Sequence, residues 1–443
     1  MPLDLAACHA LMFRSYERVT PSLKGYDQHT RDINTTRELL QRAGISTSFA
    51  PAITVTGSKG KGSTSLLSAA LLQGMGYKVG LLTSPNYLDL RERIRLNGRI
   101  IPAADYVRII NDLAPQIDAI EASLPPDKYL SPTGLFLTVA LRYFMEQHAT
   151  ALVLEVGRGG RFDDVSLYQN TVSVFTPIMD EHLDKMGPTV LDVAWHKSGI
   201  IKPNNAVVSA PQSPNVRAVL QTEAQAQHAR WLSVPDDITY TLTRSTDNAQ
   251  DIRVALLARE FNFRVTARAK YQAMNLAVAC GAAATFGDIQ QSADTVRRLR
   301  FPGRCDQVSS NPAVIIDGAI NREAAEQFRD SVLASITHPL VLVTALPHDK
   351  DAHGLLETLA PLADHVVVTR VHATHLHFTD EVFSLARQFN TNVTDQPDVD
   401  AAFRLALEVA GTAGTIWVVG TQSLVRDALR FWNQDLENVF VEA

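Results

Sequence analysis

From Pro51 to Ser65 the chain reads P-A-I-T-V-T-G-S-K-G-K-G-S-T-S. A short β-branched run breaks into glycines, lysines and hydroxyls, and residues that favour a helix follow at once. Strand, loop and helix must therefore succeed one another within a few residues, and few folds accept that. Gly57, Gly60 and Gly62 let the backbone turn tightly and bring N–H groups against an anion that a Cβ would obstruct. A helix starting near Lys61 adds its positive end to the loop formed with Ser58 and Lys59. Lys61 can then reach β- and γ-phosphates, and Ser63 or Thr64 can offer a hydroxyl to Mg²⁺. The loop is shorter than the standard G-x-x-x-x-G-K-[ST] and carries an extra glycine after the lysine. Nucleotide binding is the expectation.

A chain of 443 residues with 46% hydrophobic content has material for two cores. Its formal net charge of -6 leaves no basic excess to hold a polyanion, so small molecules are expected as partners, not nucleic acid. Cys8, Cys280 and Cys305 lie far apart, with neither C-x-x-C spacing nor a disulfide framework, which suits a reducing cytosol. The N-terminal stretch carries Asp4, Arg14, Glu17 and Arg18, and nowhere do roughly 18 apolar residues run uninterrupted. Neither export nor membrane insertion is expected, and the location implied is the cytoplasm.

Apolar strand-like runs alternate with helix-period segments, the pattern of a parallel sheet covered by helices. The class is α/β. Strands are expected at 52–56, 78–83, 151–156, 172–176 and 206–209, and helices at 61–75, 104–120, 134–147 and 273–286. A second series has strands near 313–316, 340–344, 365–369 and 415–419, with helices at 322–333 and 401–410. Residues 236–265 read as short hairpin strands. The boundary is expected near residue 300, giving domains 1–299 and 300–443.

Three further groups stand where chemistry is possible. Glu155 leaves the C-terminal end of a strand, where ligands of open α/β sheets bind, and is placed to hold Mg²⁺. His182 follows the next strand in I-M-D-E-H-L-D-K-M-G, at the same edge. Lys197 lies near the end of a helix stopped by Gly199, where an isolated lysine would merely complement the helix dipole.

With these in view the chain resembles the folylpolyglutamate synthase and dihydrofolate synthase family of the Mur ligase superfamily, ATP-dependent enzymes that join a carboxylate to an amine. The matching motifs are T-G-S-K-G-K-G-S-T at Thr56, S-P at Ser84 with R-E-R-I-R-L-N-G at Arg91, and L-E-V-G-R-G-G-R-F-D at Leu154. H-K-S-G-I-I-K-P at His196, F-P-G-R at Phe301, D-G-A-I-N at Asp317 and D-K-D at Asp349 complete the set. The resemblance implies a Mur-type ATPase domain followed by a smaller Rossmann-like α/β domain. It implies that Lys61 and the loop amides bind ATP phosphates, and that Ser63, Glu155 and His182 ligate magnesium. Lys197 matches a lysine that relatives carry as a carbamate, an oxygen ligand for a second Mg²⁺. Asn275, in Y-Q-A-M-N, matches an adenine contact, and Arg304 and Asp317 match residues of the second domain that close over the nucleotide. The site would thus span an interdomain cleft and form an acyl phosphate, with Lys61, Lys197 and His182 as its catalytic core.

The departures gather on the substrate side. The family's S-P-H reads Ser84-Pro85-Asn86, its Phe-Glu pair reads Thr133-Gly134, and its D-G-A-H-N has Ile320 in place of the histidine that helps to hold incoming glutamate. Isoleucine neither donates nor accepts a hydrogen bond. Gly420-Thr421-Gln422-Ser423-Leu424 also differs from the usual glycine-serine start, and His182 follows Asp180-Glu181 instead of adjoining the aspartate. His372, His375 and His377 resemble a metal cluster but lack a nearby cysteine or paired carboxylate, and read better as the rim of an amine pocket. Folate-type glutamate ligation is therefore the leading expectation, with another acid or amine second. A phosphate-loop NTPase switch would leave Lys197 unexplained, and an inactive binding protein would not need Lys61, Ser63, Glu155 and Lys197. Oligomeric state is expected to be monomeric or a small homo-oligomer.

Overall fold

The computed structural model describes residues 2–20, 23–84, 86–373 and 376–441. Among these, the first sheet contains β1 (Ala52–Thr56), β2 (Val79–Leu82), β3 (Ile94–Leu96), β4 (Arg99–Ile100), β5 (Ala151–Glu155), β6 (Val172–Phe175), β7 (Ala206–Ser209) and β8 (Arg230–Ser233). Their order is β4-β3-β2-β5-β1-β6-β7-β8. All neighbours run parallel except β2–β3 and β3–β4, so the expected parallel sheet carries an antiparallel hairpin at one edge. Strand β1 lies between β5 and β6, with Val55 opposite Glu155 and Thr56 opposite Phe175. That register brings three loop origins to one edge: the phosphate loop after β1, Glu155 on β5, and the loop after β6. The sheet is covered on both faces, which is why β1, β2, β5, β6 and β7 are buried along their whole length.

A small antiparallel sheet follows, with β9 (Ile238–Ser245), β10 (Gln250–Leu256) and β11 (Arg259–Val265), as the hairpin pattern predicts. The third sheet contains β12 (Arg304–Ser310), β13 (Ala313–Asp317), β14 (Leu340–Ala345), β15 (His365–Arg370), β16 (Val393–Asp398) and β17 (Thr415–Gly420), in the order β12-β13-β17-β14-β15-β16. It is parallel apart from β12 against β13, and one apolar core lies on each face. Two α/β units thus follow one another, and they are joined by more than the linker. Tyr87 and Leu88, from the loop after β2, pack against the core of the second unit.

The sequence pattern did not anticipate the helices Leu5–Val19 and Asn34–Arg42. The second is short and polar, yet it buries Thr35 and Thr36 beside Leu39 and Leu40. Thr36 Oγ1 donates to Asp164 Oδ1 at 2.7 Å, and the Ser131 hydroxyl donates to the other oxygen of the same carboxylate. A Cβ at Gly134 would lie 1.9 Å from Thr36 Oγ1, so the glycine that replaces the family's glutamate is required by this close helix contact.

Candidate active site

Two glycines of the loop are fixed by contact. Gly57 has φ +145° and a Cβ there would meet Thr176 Oγ1 at 1.9 Å, while Gly60 has φ +85° and starts the helix Lys61–Gly74 from the left-handed region. Ser58 fastens the loop to the segment after β6: its N–H donates to Pro177 O at 2.8 Å, and its Oγ accepts from Met179 N–H at 3.0 Å. The loop is therefore held in shape by the protein itself.

Two lysines converge on one carbonyl. Lys61 Nζ and Lys197 Nζ each donate to Gly57 O at 2.8 Å. Lys197 also donates to Glu181 Oε1 at 2.8 Å, and its side chain is only 1% exposed against 22% for Glu181. Desolvation falls mainly on the lysine. Burial, with Lys61 close by, brings the Lys197 ammonium down to about 8. Burial opposes charge on Glu181 too, yet Lys197 and Lys61 outweigh it and hold the carboxyl near 2.

Glu155 is 3% exposed, and one of its oxygens accepts from Ser84 N–H at 3.1 Å. Burial raises its pKa against the pull of Lys61, the Ser84 amide and Arg304. Glu155 and Ser63 open onto the same cavity of about 80 Å³, lined also by Tyr87, Arg95, Phe301 and, from the second unit, Arg304. Ser63 Oγ accepts from Gln272 Nε2 at 3.2 Å, and Gln272 Oε1 accepts from Asn275 Nδ2 at 3.0 Å. Asn275 in turn abuts the phosphate loop, its Oδ1 lying 2.8 Å from where a Gly60 Cβ would stand. Of the two candidate hydroxyls, Ser63 faces the cavity, whereas Thr64 Oγ1 is buried without a partner.

The remaining sequence-derived residues stand further out. His182 is exposed, with φ +49°, and caps the short helix Leu183–Met186; it shares no hydrogen bond with Ser63, Glu155 or Lys197. Lys59 is exposed on the loop beside Gly60. Asp317 stands opposite Arg304 in the β12–β13 pairing and accepts from Cys305 N–H at 2.8 Å. Ile320 packs against the second unit's core. Asn321, Asp351 and Thr421 each cap a helix through a side-chain oxygen. His375 and Pro85 lie outside the described residues. His372 pairs with Asp427, His377 stands by His348, and among the described residues no three His, Cys, Asp or Glu side chains are grouped to hold a metal.

Sequence reasoning missed Ser84 as the amide partner of Glu155, Glu181 as the partner of Lys197, and Gln272 as the link between Ser63 and Asn275. Only Gln272 left a trace, being three residues before Asn275 and so on the same helical face.

Comparison with known proteins fits this geometry. Residues 303–422 match the family model described as Mur ligase, glutamate ligase domain. The chain is 26% identical over 385 residues to the dihydrofolate synthase/folylpolyglutamate synthase of Bacillus subtilis (strain 168), covering 82% of this chain and 86% of that one. The like-named protein of Mycobacterium tuberculosis (strain ATCC 25618 / H37Rv) is 27% identical over 340 residues, 72% of this chain and 70% of the relative. Crystal structures of Mycobacterium tuberculosis folylpolyglutamate synthase complexed with ADP and AMPPCP share the fold with a TM-score of 0.85 at 22% identity, covering 97% of this chain and 99% of that one.

Site and fold together define an ATP-dependent acid–amine ligase of the Mur type. Within that class the chain is similar to folylpolyglutamate synthases and dihydrofolate synthases.

Proposed function

We propose that this ligase couples ATP cleavage to amide formation on a small carboxylic acid through an acyl phosphate, with glutamate as the leading amine and a folate-type compound as the leading acid. The observation that carries the reading is the shared cavity: Ser63 and Glu155 from the first unit face Arg304 from the second, while Lys197 and Lys61 meet at the Gly57 carbonyl of the phosphate loop.

Ser63 and Glu155 are hard oxygen donors opening onto one space, which suits Mg²⁺; that ion takes one or two carboxylates plus phosphate and water oxygens and needs no dense protein cage. When bound, it would neutralise charge on the phosphates. His182 and a carbamate on Lys197 would serve a second ion. With its ammonium down to about 8, roughly one Lys197 amine in ten is neutral at pH 7 and able to attack CO₂, losing a proton as the N–C bond forms. Carbamate formation would end the ion pair with Glu181.

Lys61 must leave the carbonyls of Gly57 and Ser58 to reach a phosphate, and the loop amides with the helix N-terminus would bind the same group. Carboxylate oxygen then attacks the γ-phosphorus, ADP departs, and the amine displaces phosphate from the acyl carbon. Arg304, arriving from the opposite wall, would add positive charge where it accumulates, and closure of the two walls would exclude water. Asn275 and Asp317 would belong to the nucleotide side of this cleft. We take the units to meet near residue 300 and the protein to work in the cytoplasm, alone or as a small homo-oligomer.

Another acid or amine is the second reading, and Ile320 is the observation that favours it, because an apolar side chain stands where relatives place a histidine. Both readings are tested by incubating the protein with ATP, a panel of acids and a panel of amino acids, and reading product masses. Glutamyl conjugates of folates support the first, conjugates of other pairs the second. ATP hydrolysis at one rate whatever is added, with no new amide, would reject both.

A further inference from the structure

Residues 434–441 bridge the two units, and no step above uses them. Leu436 is buried in the second unit's core, while Val439 and Phe440 are buried in the first unit's. Between these anchors the backbone acts as the middle strand of a small patch. On one side it meets the β3–β4 hairpin, where Ile100 N–H donates to Glu437 O at 3.0 Å and Val439 N–H to Gly98 O at 3.2 Å. On the other it meets the interdomain linker, where Arg300 N–H donates to Val439 O at 2.8 Å and Val441 N–H to Arg298 O at 2.9 Å.

Side chains tighten the same joint. Arg300 donates to Gln434 Oε1 at 2.7 Å and, through Nε and Nη2, to Asp306 at 3.3 and 3.1 Å. Asp306 Oδ2 also accepts from Gly303 N–H at 3.2 Å, directly before Arg304. The Phe440 ring fills the space at the hairpin turn: a Cβ on Gly98, which has φ +81°, would lie 2.3 Å from Phe440 Cδ2. Leu436 and Val439 line the cavity that holds Ser63, Glu155 and Arg304.

We propose that this segment is a strap across the linker, which fixes how far the second unit closes and so seats Arg304 opposite Glu155. Leu436, Phe440 and Arg300 are positioning residues that act through Arg304. The catalytic consequence rests on the ligase reading; the mechanical one does not.

The test uses the full chain with Phe440→Ala, Phe440→Leu and Gln434→Ala. Tryptic cleavage after Arg298 and Arg300 is followed with and without AMPPCP, and ATP consumed is compared with amide formed. Phe440→Ala should be cut at least tenfold faster, should consume at least threefold more ATP per amide, and should raise KM for ATP more than it lowers kcat. Phe440→Leu should restore most of each. Should Phe440→Ala not fold, Gln434→Ala decides by the same readouts, since it removes the bonds to Arg300 and Val308 without emptying a core. Unchanged cleavage in a folded variant would overturn the strap, and faster cleavage with an unchanged ATP-to-amide ratio would overturn its link to Arg304. Failure of the ligase reading would appear in the unaltered chain, as ATP use without product.

Discussion

The two walls of the cleft hold their polar groups in different ways. On the first wall the charged groups are tied to backbone: Lys61 and Lys197 to the Gly57 carbonyl, Glu155 to the Ser84 amide. On the second wall the side chains of the corresponding loops serve the scaffold: Asn321, Asp351 and Thr421 close helix ends, and Ile320 joins the core. The first arrangement has little freedom, because strand register sets where each group stands. The second leaves residue identity open at loop positions such as 320, where substrate selection would act. The phosphate chemistry is common to every acid and amine; the choice of partner is not.

That contrast is broken most directly at Lys197. Lys197→Ala should lower amide formation by about 10³-fold, on the scale of losing a preorganised electrostatic group, without rescue by bicarbonate. Titration calorimetry with AMPPCP should still register binding. Wild-type turnover in this variant would remove the carbamate from the mechanism.

Glu155→Gln should separate function from stability. Turnover should fall by about 10²-fold or more. The folded protein should nevertheless melt higher in EDTA, because a buried carboxylate with a raised pKa costs stability once it ionises. In wild type that cost is absent below the unfolded value, grows as pH rises towards the folded one, and is complete above it. The advantage of glutamine should therefore be larger at pH 8 than at pH 4.5, and Mg²⁺ with AMPPCP should shrink it. Equal melting at both pH values would show that Glu155 is not strained by burial.

A smaller effect is expected at Gln272. Gln272→Leu removes the donor to Ser63 and leaves Asn275 without its acceptor, a loss of about 1–3 kcal/mol. KM for ATP should rise about tenfold while the amine preference stays fixed, consistent with about 1.4 kcal/mol per decade. A changed amine preference would blur the division between walls. The smallest change should come from Ile320→His, with a few-fold gain in glutamate affinity measured by competition. No gain would place amine selection elsewhere on the second wall.

Much of this organisation was legible in the sequence. Strands β1 and β7 fall at their expected bounds, and β13, β14, β15 and β17 lie within about two residues of theirs, as element ends usually do, whereas β12 and β16 were not anticipated. Long apolar runs buried on both faces read clearly because hydrophobic burial acts on composition alone. The helix Asn34–Arg42 was not legible: only Leu39 and Leu40 mark its buried face in apolar terms, and Thr36 beside them bonds a carboxylate 128 residues away. Ser84, Glu181 and Gln272 escaped for the same reason. Each bonds a partner distant along the chain, and apart from the three-residue step from Gln272 to Asn275 the spacing carries no record of it.

By itself the sequence determined the phosphate loop, the two α/β series and the residue types able to bind phosphate and metal, because these follow from local backbone freedom and side-chain chemistry. The tertiary structure alone decided that Ser63 and not Thr64 faces the cavity, that Lys197 is paired with Glu181, and that residues near the chain's end clasp the linker. Strand order and helix packing bring those groups within bonding distance, and both are set by cooperative burial over the whole chain.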